Sequence, residues 1–221
     1  MVIFHFSFDL NHFHFLELDL KHDVFWKYFR IVIVSMFVFT SGISLQLTHL
    51  KKFDRVKAKK RVLLLGAASL LVSIGSYTQF PNTWIYFGIL HFFLFSSIVG
   101  LFFIRVPRIA FILGSFILIA SYFDFINTHW LYGILKYPLH LPLYYTEDLA
   151  KIFPWFGLFL LGMASVKYIF HVNIFSKSNK NTNYFLSDFL SFLGKKSLLI
   201  YLIHQPLLFF IFINIKKTIG Q

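Results

Sequence analysis

Residues 31–48 read Ile31-Val32-Ile33-Val34-Ser35-Met36-Phe37-Val38-Phe39-Thr40-Ser41-Gly42-Ile43-Ser44-Leu45-Gln46-Leu47-Thr48, eighteen positions without a charge. A helix rises about 1.5 Å per residue, so this stretch alone covers most of a hydrocarbon core about 30 Å thick. Extended back to residue 28 it predicts a span over 28–48, and similar apolar blocks predict spans over 62–79, 83–103, 107–124, 152–171 and 197–214. In a bilayer each backbone N–H and C=O must find a partner within the chain, and helices achieve this segment by segment. The expected fold class is therefore all-α: a polytopic transmembrane helix bundle of about seven helices, in a single domain over 1–221.

Composition points the same way. With 57% hydrophobic residues, 14% charged residues and 32 Phe in 221 positions, the chain lacks the polar residues to cover a water-facing surface. The absence of cysteine excludes a disulfide framework, thiolate metal sites and cysteine nucleophiles. A formal charge of +12 would suit nucleic acid, yet the Lys and Arg residues fall in short runs between apolar blocks and form no basic stripe. Nucleic acid is thus not an expected partner; the lipid bilayer is. Apolar segments recur to the C-terminus and no small-residue cleavage site follows the first, which argues against a secretory signal.

The basic runs set the orientation. Lys51, Lys52, Arg55, Lys57, Lys59, Lys60 and Arg61 put the 49–61 loop in the cytoplasm. Alternation then places Arg105, Arg108, Lys177, Lys180, Lys195 and Lys196 inside as well, with 11–23, 80–83 and 125–150 outside. Lys216 and Lys217 run against the rule. The stretch 172–196, with Ser176, Ser178, Asn179, Asn181, Thr182 and Asn183, reads as a flexible cytoplasmic connection. Multi-pass insertion in a bacterial cytoplasmic (inner) membrane is the expected location.

The first apolar segment, 1–10, is anomalous. Ten residues cover about half the hydrocarbon core, so this helix reads as truncated at Met1 and an upstream segment is expected.

Ionisable groups within spans are costly and become functional candidates. His5 and Asp9 stand at i and i+4 on one helical face, where a carboxylate can orient an imidazole; the plainer reading is a buried His bonded to a carbonyl and an interfacial Asp. His91 lies in Gly88-Ile89-Leu90-His91-Phe92-Phe93. Ser197, Tyr201 and His204 share a face of the last span, and Gln205-Pro206 interrupts its apolar run; a polar kink is the plainer reading. In Phe153-Pro154-Trp155-Phe156-Gly157, Pro suits a first helical turn and Trp the interface. At about 1.5 Å per residue, His5 and His91 fall in the outer half of the membrane and His204 near its midplane.

Five words carry a resemblance: Phe4-His5-Phe6-Ser7-Phe8-Asp9-Leu10; Ser41-Gly42-Ile43-Ser44-Leu45; Phe87-Gly88-Ile89-Leu90-His91-Phe92; Phe153-Pro154-Trp155-Phe156-Gly157 with Leu161-Gly162-Met163-Ala164; and Ser197-Leu198-Leu199-Ile200-Tyr201-Leu202-Ile203-His204-Gln205-Pro206. In this order they resemble bacterial members of the heparan-α-glucosaminide N-acetyltransferase catalytic-domain family, within the wider transmembrane acyltransferase group. The resemblance implies transfer of an acetyl group from acetyl-CoA, a co-substrate and not a bound cofactor, to a sugar or amino-sugar acceptor on the non-cytoplasmic side. It implies that His5 is catalytic, as general base or as a transiently acylated nucleophile, with Asp9 beside it. His91, Tyr201, His204 and Gln205 become candidate site-lining residues, and Lys51, Lys52 and Arg55 candidates for the donor phosphates. Positive-inside bias explains those cations equally well.

Family members generally carry Arg or Asn about ten positions before the catalytic His, whereas this chain begins four before it. Either the start lies too far downstream or this copy lacks a catalytic partner and is inactive as written. Trp84, Trp130, Tyr144 and Tyr145 near the outer face could stack on a sugar, a pattern that interfacial aromatic belts also produce. No metal is expected, and a homo-oligomer is compatible with the sequence. The alternatives are a haem-binding membrane protein using the ten histidines, or a polytopic transporter using the midplane polar groups and Pro206, neither with acyl-transfer chemistry.

Overall fold

The computed structural model describes all residues except 18, 21–22, 80, 127–131, 135, 139–140, 143–145, 147, 172–183 and 220–221. Trp130, Tyr144, Tyr145, Lys177 and Lys180 therefore lie outside the described residues. The helices are α1 (Val2–His12), α2 (Val24–Thr48), α3 (Arg55–Gln79), α4 (Ile89–Gly100, continued by a 3-10 turn Leu101–Phe103), α5 (Pro107–Tyr122), α6 (Trp155–His171), α7 (Tyr184–Lys195) and α8 (Ser197–Ile219). Among the described residues there is no strand. The protein is all-α and polytopic.

Among the described residues, α2, α3 and α8 are long and apolar enough to cross a membrane, and α4 with its 3-10 turn, α5 and α6 are shorter apolar helices. Large apolar side chains stand exposed along α3 (Leu63, Leu64, Leu70, Leu71, Ile74) and α5 (Ile109, Ile112, Phe116, Ile119). Contiguous apolar surface of this kind suits contact with hydrocarbon.

The largest differences from the sequence reading lie in α3, α4 and α7. The third helix begins at Arg55 and not at 62, so the basic run is half helix: Asp54 Oδ1 accepts the Lys57 N–H at 3.0 Å and caps the first turn. The fourth begins at Ile89 and not at 83, because Ile85 is tied outside it, its N–H to Ser76 Oγ at 2.9 Å and its carbonyl to Ser73 Oγ at 2.7 Å. Residues 184–195 of the expected flexible connection form α7. Helix α8 runs on through Pro206, as a single span over 197–214 requires. Pro154 precedes α6, after a cis peptide bond with Phe153, and Trp155 opens the helix.

The chain forms two compact units. One comprises Met1–Val34 and Phe175–Gln221, the other Ser35–Ile174, with the boundary inside α2.

In the 35–174 unit the buried core includes Val38, Leu45, Phe92, Phe159, Leu160 and Met163. Two glycine contacts set its helix spacing. A Cβ on Gly42 would strike the Phe159 carbonyl oxygen, and one on Gly162 would strike the Phe39 carbonyl oxygen, so α2 and α6 cross backbone to backbone. Gly114 of α5 and Gly157 of α6 meet in the same way, each 2.8 Å from the other's carbonyl at its missing Cβ.

Arg61 fastens the same unit. Its Nε donates to Ser97 Oγ at 3.0 Å, Nη1 to Ser44 Oγ at 3.3 Å, and Nη2 to Ser41 Oγ at 2.8 Å and the Ser41 carbonyl at 3.2 Å. One guanidinium thereby links α3 to α2 and α4. Four hydrogen bonds to neutral oxygens offset much of the cost of drawing a cation out of water.

Candidate active site

Within the 1–34 and 175–221 unit, α1 and α8 pair through aromatic rings. Phe6 and Phe212 have centroids 5.6 Å apart, Phe13 and Phe209 5.5 Å, and His12 and Phe209 5.7 Å. Contacts advance from His5–His204 through Asp9–Gln205 to Phe13–Phe212, so the helices run parallel.

Embedded in this seam are four polar side chains. The His5 and His204 rings meet edge to face, with centroids 4.9 Å apart and planes at 61°. Gln205 Nε2 donates to Asp9 Oδ1 at 3.0 Å. The expected orientation of His5 by Asp9 is not what the carboxylate does: one oxygen takes the Gln205 amide and the other has no partner. Spacing of i and i+4 puts two residues on one face, but the acceptor turned instead to a donor on the neighbouring helix.

His204 has a fixed tautomer. Its Nδ1 lies 2.6 Å from the Tyr201 carbonyl and 3.2 Å from that of Ile200, and carbonyls only accept. The proton of the neutral ring therefore sits on Nδ1, leaving a lone pair on Nε2. That atom is buried and unpartnered, and so are Asp9 Oδ2 and Gln205 Oε1. Asp9 is 0% and His204 7% exposed. Buried polar atoms are nearly always hydrogen-bonded, so these three neighbouring acceptors can take N–H or O–H donors from water or from a bound molecule. The Tyr201 ring stands 5.5 Å from His204 and completes the cluster.

Residues 1–206, which contain His5, Asp9, Tyr201, His204 and Gln205, match the family model described as heparan-alpha-glucosaminide N-acetyltransferase, catalytic. The chain belongs to this family. No curated protein and no solved structure matches it. The protein is therefore a member of a transmembrane acetyltransferase family, and its apolar helices are those of a membrane protein.

Other words that carry the resemblance acquire structural meaning. Gly42 of Ser41-Gly42-Ile43-Ser44-Leu45 and Gly162 of Leu161-Gly162-Met163-Ala164 are the α2–α6 crossing points, and Ser41 and Ser44 hold Arg61. His91 belongs to the 35–174 unit and works at the start of α4. Ser73 Oγ gives its proton to the Ile85 carbonyl, so it accepts from His91 Nε2 at 3.0 Å, while His91 Nδ1 accepts the Gly88 N–H at 3.3 Å. Both ring nitrogens are occupied. Asp148 Oδ2 accepts the Ile89 N–H at 3.1 Å, which adds a carboxylate to the same helix N-terminus.

Lys51, Lys52 and Arg55 line one open groove at the α2–α3 connection, with Phe53, Asp54 and Lys57. Sequence reasoning missed His49, which touches two residues of this groove: its Nδ1 accepts the Asp54 N–H at 3.2 Å and its ring stacks on Phe53. Burial pushes the His49 imidazole below its ordinary range, and the Lys57 N–H holds the Asp54 carboxyl down. Among the described residues no three His, Asp or Glu side chains converge as metal ligands.

Proposed function

We propose that the α1–α8 seam transfers an acetyl group from acetyl-CoA to an amine or hydroxyl of a sugar or amino sugar on the non-cytoplasmic side of the membrane. The observation that carries this reading is the set of unfilled acceptors, His204 Nε2, Asp9 Oδ2 and Gln205 Oε1, beside His5. A hydroxylated or aminated ring supplies the missing donors, whereas an apolar or acceptor-only molecule does not.

His5 is the catalytic imidazole. His204 is suited to receive the acceptor's proton, because its Nδ1–H is anchored on a carbonyl that also stabilises the imidazolium formed. As the acceptor nitrogen or oxygen attacks the acetyl carbonyl, its proton passes to His204 Nε2. The C–S bond breaks and CoA leaves as thiolate. An acetyl group first carried by His5 requires the same proton removal in its second step. Gln205 holds Asp9, and Asp9 Oδ2 orients a donor of the acceptor.

Lys51, Lys52 and Arg55 are proposed to meet the CoA phosphates, a role supported by their sharing a groove and by the affinity of Lys and Arg for phosphate. On this reading 49–61 faces the cytoplasm, where acetyl-CoA is made. The test is turnover of acetyl-CoA by purified protein with a chromogenic glucosaminide. His5→Ala abolishes transfer; unchanged turnover in that variant would sink the assignment.

A further inference from the structure

Helix α7 carries a sharply divided surface. At about 100° per residue, Ser187, Asp188, Ser191 and Lys195 fall within one arc of about 100°, and Phe189, Leu190, Phe192 and Leu193 occupy the opposite arc of about 160°. The apolar arc is not buried in the protein: Phe189 is 50%, Leu190 58% and Phe192 58% exposed. A single residue, Lys196, separates α7 from α8, which is long and apolar enough to cross a membrane. The C-terminal end of α7 is thereby pinned at the depth where a span begins.

We infer that α7 is an interfacial helix that lies in the cytoplasmic leaflet, with Phe189, Leu190, Phe192 and Leu193 among the acyl chains and Lys195 and Lys196 on the phosphates of anionic lipids. Three independent features select a lipid surface as the occupant. Aromatic and aliphatic residues fill one face without interruption, as insertion to the headgroup boundary requires. Lys195 and Lys196 stand together at the helix end that abuts the span, both exposed, and the helix dipole favours cations there. The covalent tether to α8 holds the helix at the membrane, so binding carries no cost of recruitment from solution.

The cysteine-free chain allows a direct test. Single cysteines at 187 to 193 are spin-labelled in the full-length protein, reconstituted in nanodiscs of phosphatidylcholine or of phosphatidylcholine with 30% phosphatidylglycerol. At 189, 190, 192 and 193 the label is expected to be open to oxygen and closed to a water-soluble nickel chelate; at 187, 188 and 191 the reverse. Added phosphatidylglycerol should deepen the 192 label, and the double substitution Lys195→Gln with Lys196→Gln should remove that response. Uniform access to the nickel chelate overturns the proposal. So does an apolar arc closed to both reagents, which would mean that protein covers it, and so does a 192 depth indifferent to both lipid charge and the lysines. None of these readouts depends on acetyl transfer.

Discussion

The Gln205 side-chain amide donates to Asp9 Oδ1 at 3.0 Å, so the last helix supplies the donor that keeps the carboxylate of the first in place. Asp9 is fully buried and its other oxygen has no partner, so Gln205 provides the hydrogen bond on which its position depends. Gln205→Ala should lower stability by about 1–3 kcal/mol, the usual cost of stripping a buried polar group of its partner. Gln205→Glu should cost more, because it sets two carboxylates together. Thermal unfolding in detergent measures both, and an alanine variant that melts with the wild type would show that Asp9 finds another donor.

His204→Gln separates shape from base strength. Gln fills similar space but accepts no proton, so kcat is expected to fall about 10²- to 10⁴-fold, the range general-base catalysis supplies. The fold should persist, since the aromatic seam from Phe6 to Phe212 is untouched. Steady-state kinetics with retained melting temperature is the readout; kcat within about threefold of wild type assigns the proton elsewhere.

Gly42→Ala and Gly162→Ala should each destabilise by about 1–3 kcal/mol, since the added methyl meets a carbonyl on a helix that cannot retreat without opening the core. Gly66→Ala is the control. Nothing lies within 4 Å of a Cβ there, and alanine's helix propensity should stabilise α3 by up to about 1 kcal/mol. Opposite signs for Gly66 and Gly42 would verify the close crossing.

Acidification should loosen the α2–α3 connection. Burial depresses the His49 pKa, so the unfolded chain takes up the proton first as pH falls. Stability is therefore full above the unfolded value of about 6.5 and declines below it, towards the lower folded value. Asp54 also has a depressed pKa, held down by the Lys57 N–H, but its contribution is lost only below the unfolded carboxylate value of about 3.9. His49→Gln should flatten the melting-temperature profile between pH 7 and pH 5 and leave the more acidic limb intact.

Much of this architecture was legible in the sequence because the bilayer imposes a length and a polarity on each span. The 28–48 and 197–214 readings fall within α2 and α8. Errors arose where helix and hydrocarbon do not coincide. Arg55 to Arg61 is helical but basic, so an apolar reading stopped at 62, and Arg61 was counted among loop charges although it ties three helices through Ser41, Ser44 and Ser97. Helix α7 is too short and too evenly divided to register as an apolar run. The candidate cluster was named residue by residue, but its pairing was not. His204 opposite His5 depends on α1 and α8 being neighbours, and Asp9 bonding Gln205 rather than His5 depends on which donor is nearer. Periodicity along one helix carries neither fact.

The three unfilled acceptors bear on how the proposed reaction ends. On the proposed reading a neutral sugar amine brings two N–H donors, and the sugar hydroxyls bring O–H donors, to His204 Nε2, Asp9 Oδ2 and Gln205 Oε1. Once acetylated, the nitrogen keeps fewer hydrogens and gains a carbonyl oxygen, which presents lone pairs to atoms that already present lone pairs. On the proposed reaction the product therefore fits the seam worse than the substrate. Turnover then includes its own eviction step, and an N-acetylated sugar should inhibit poorly compared with the free amine from which it was made.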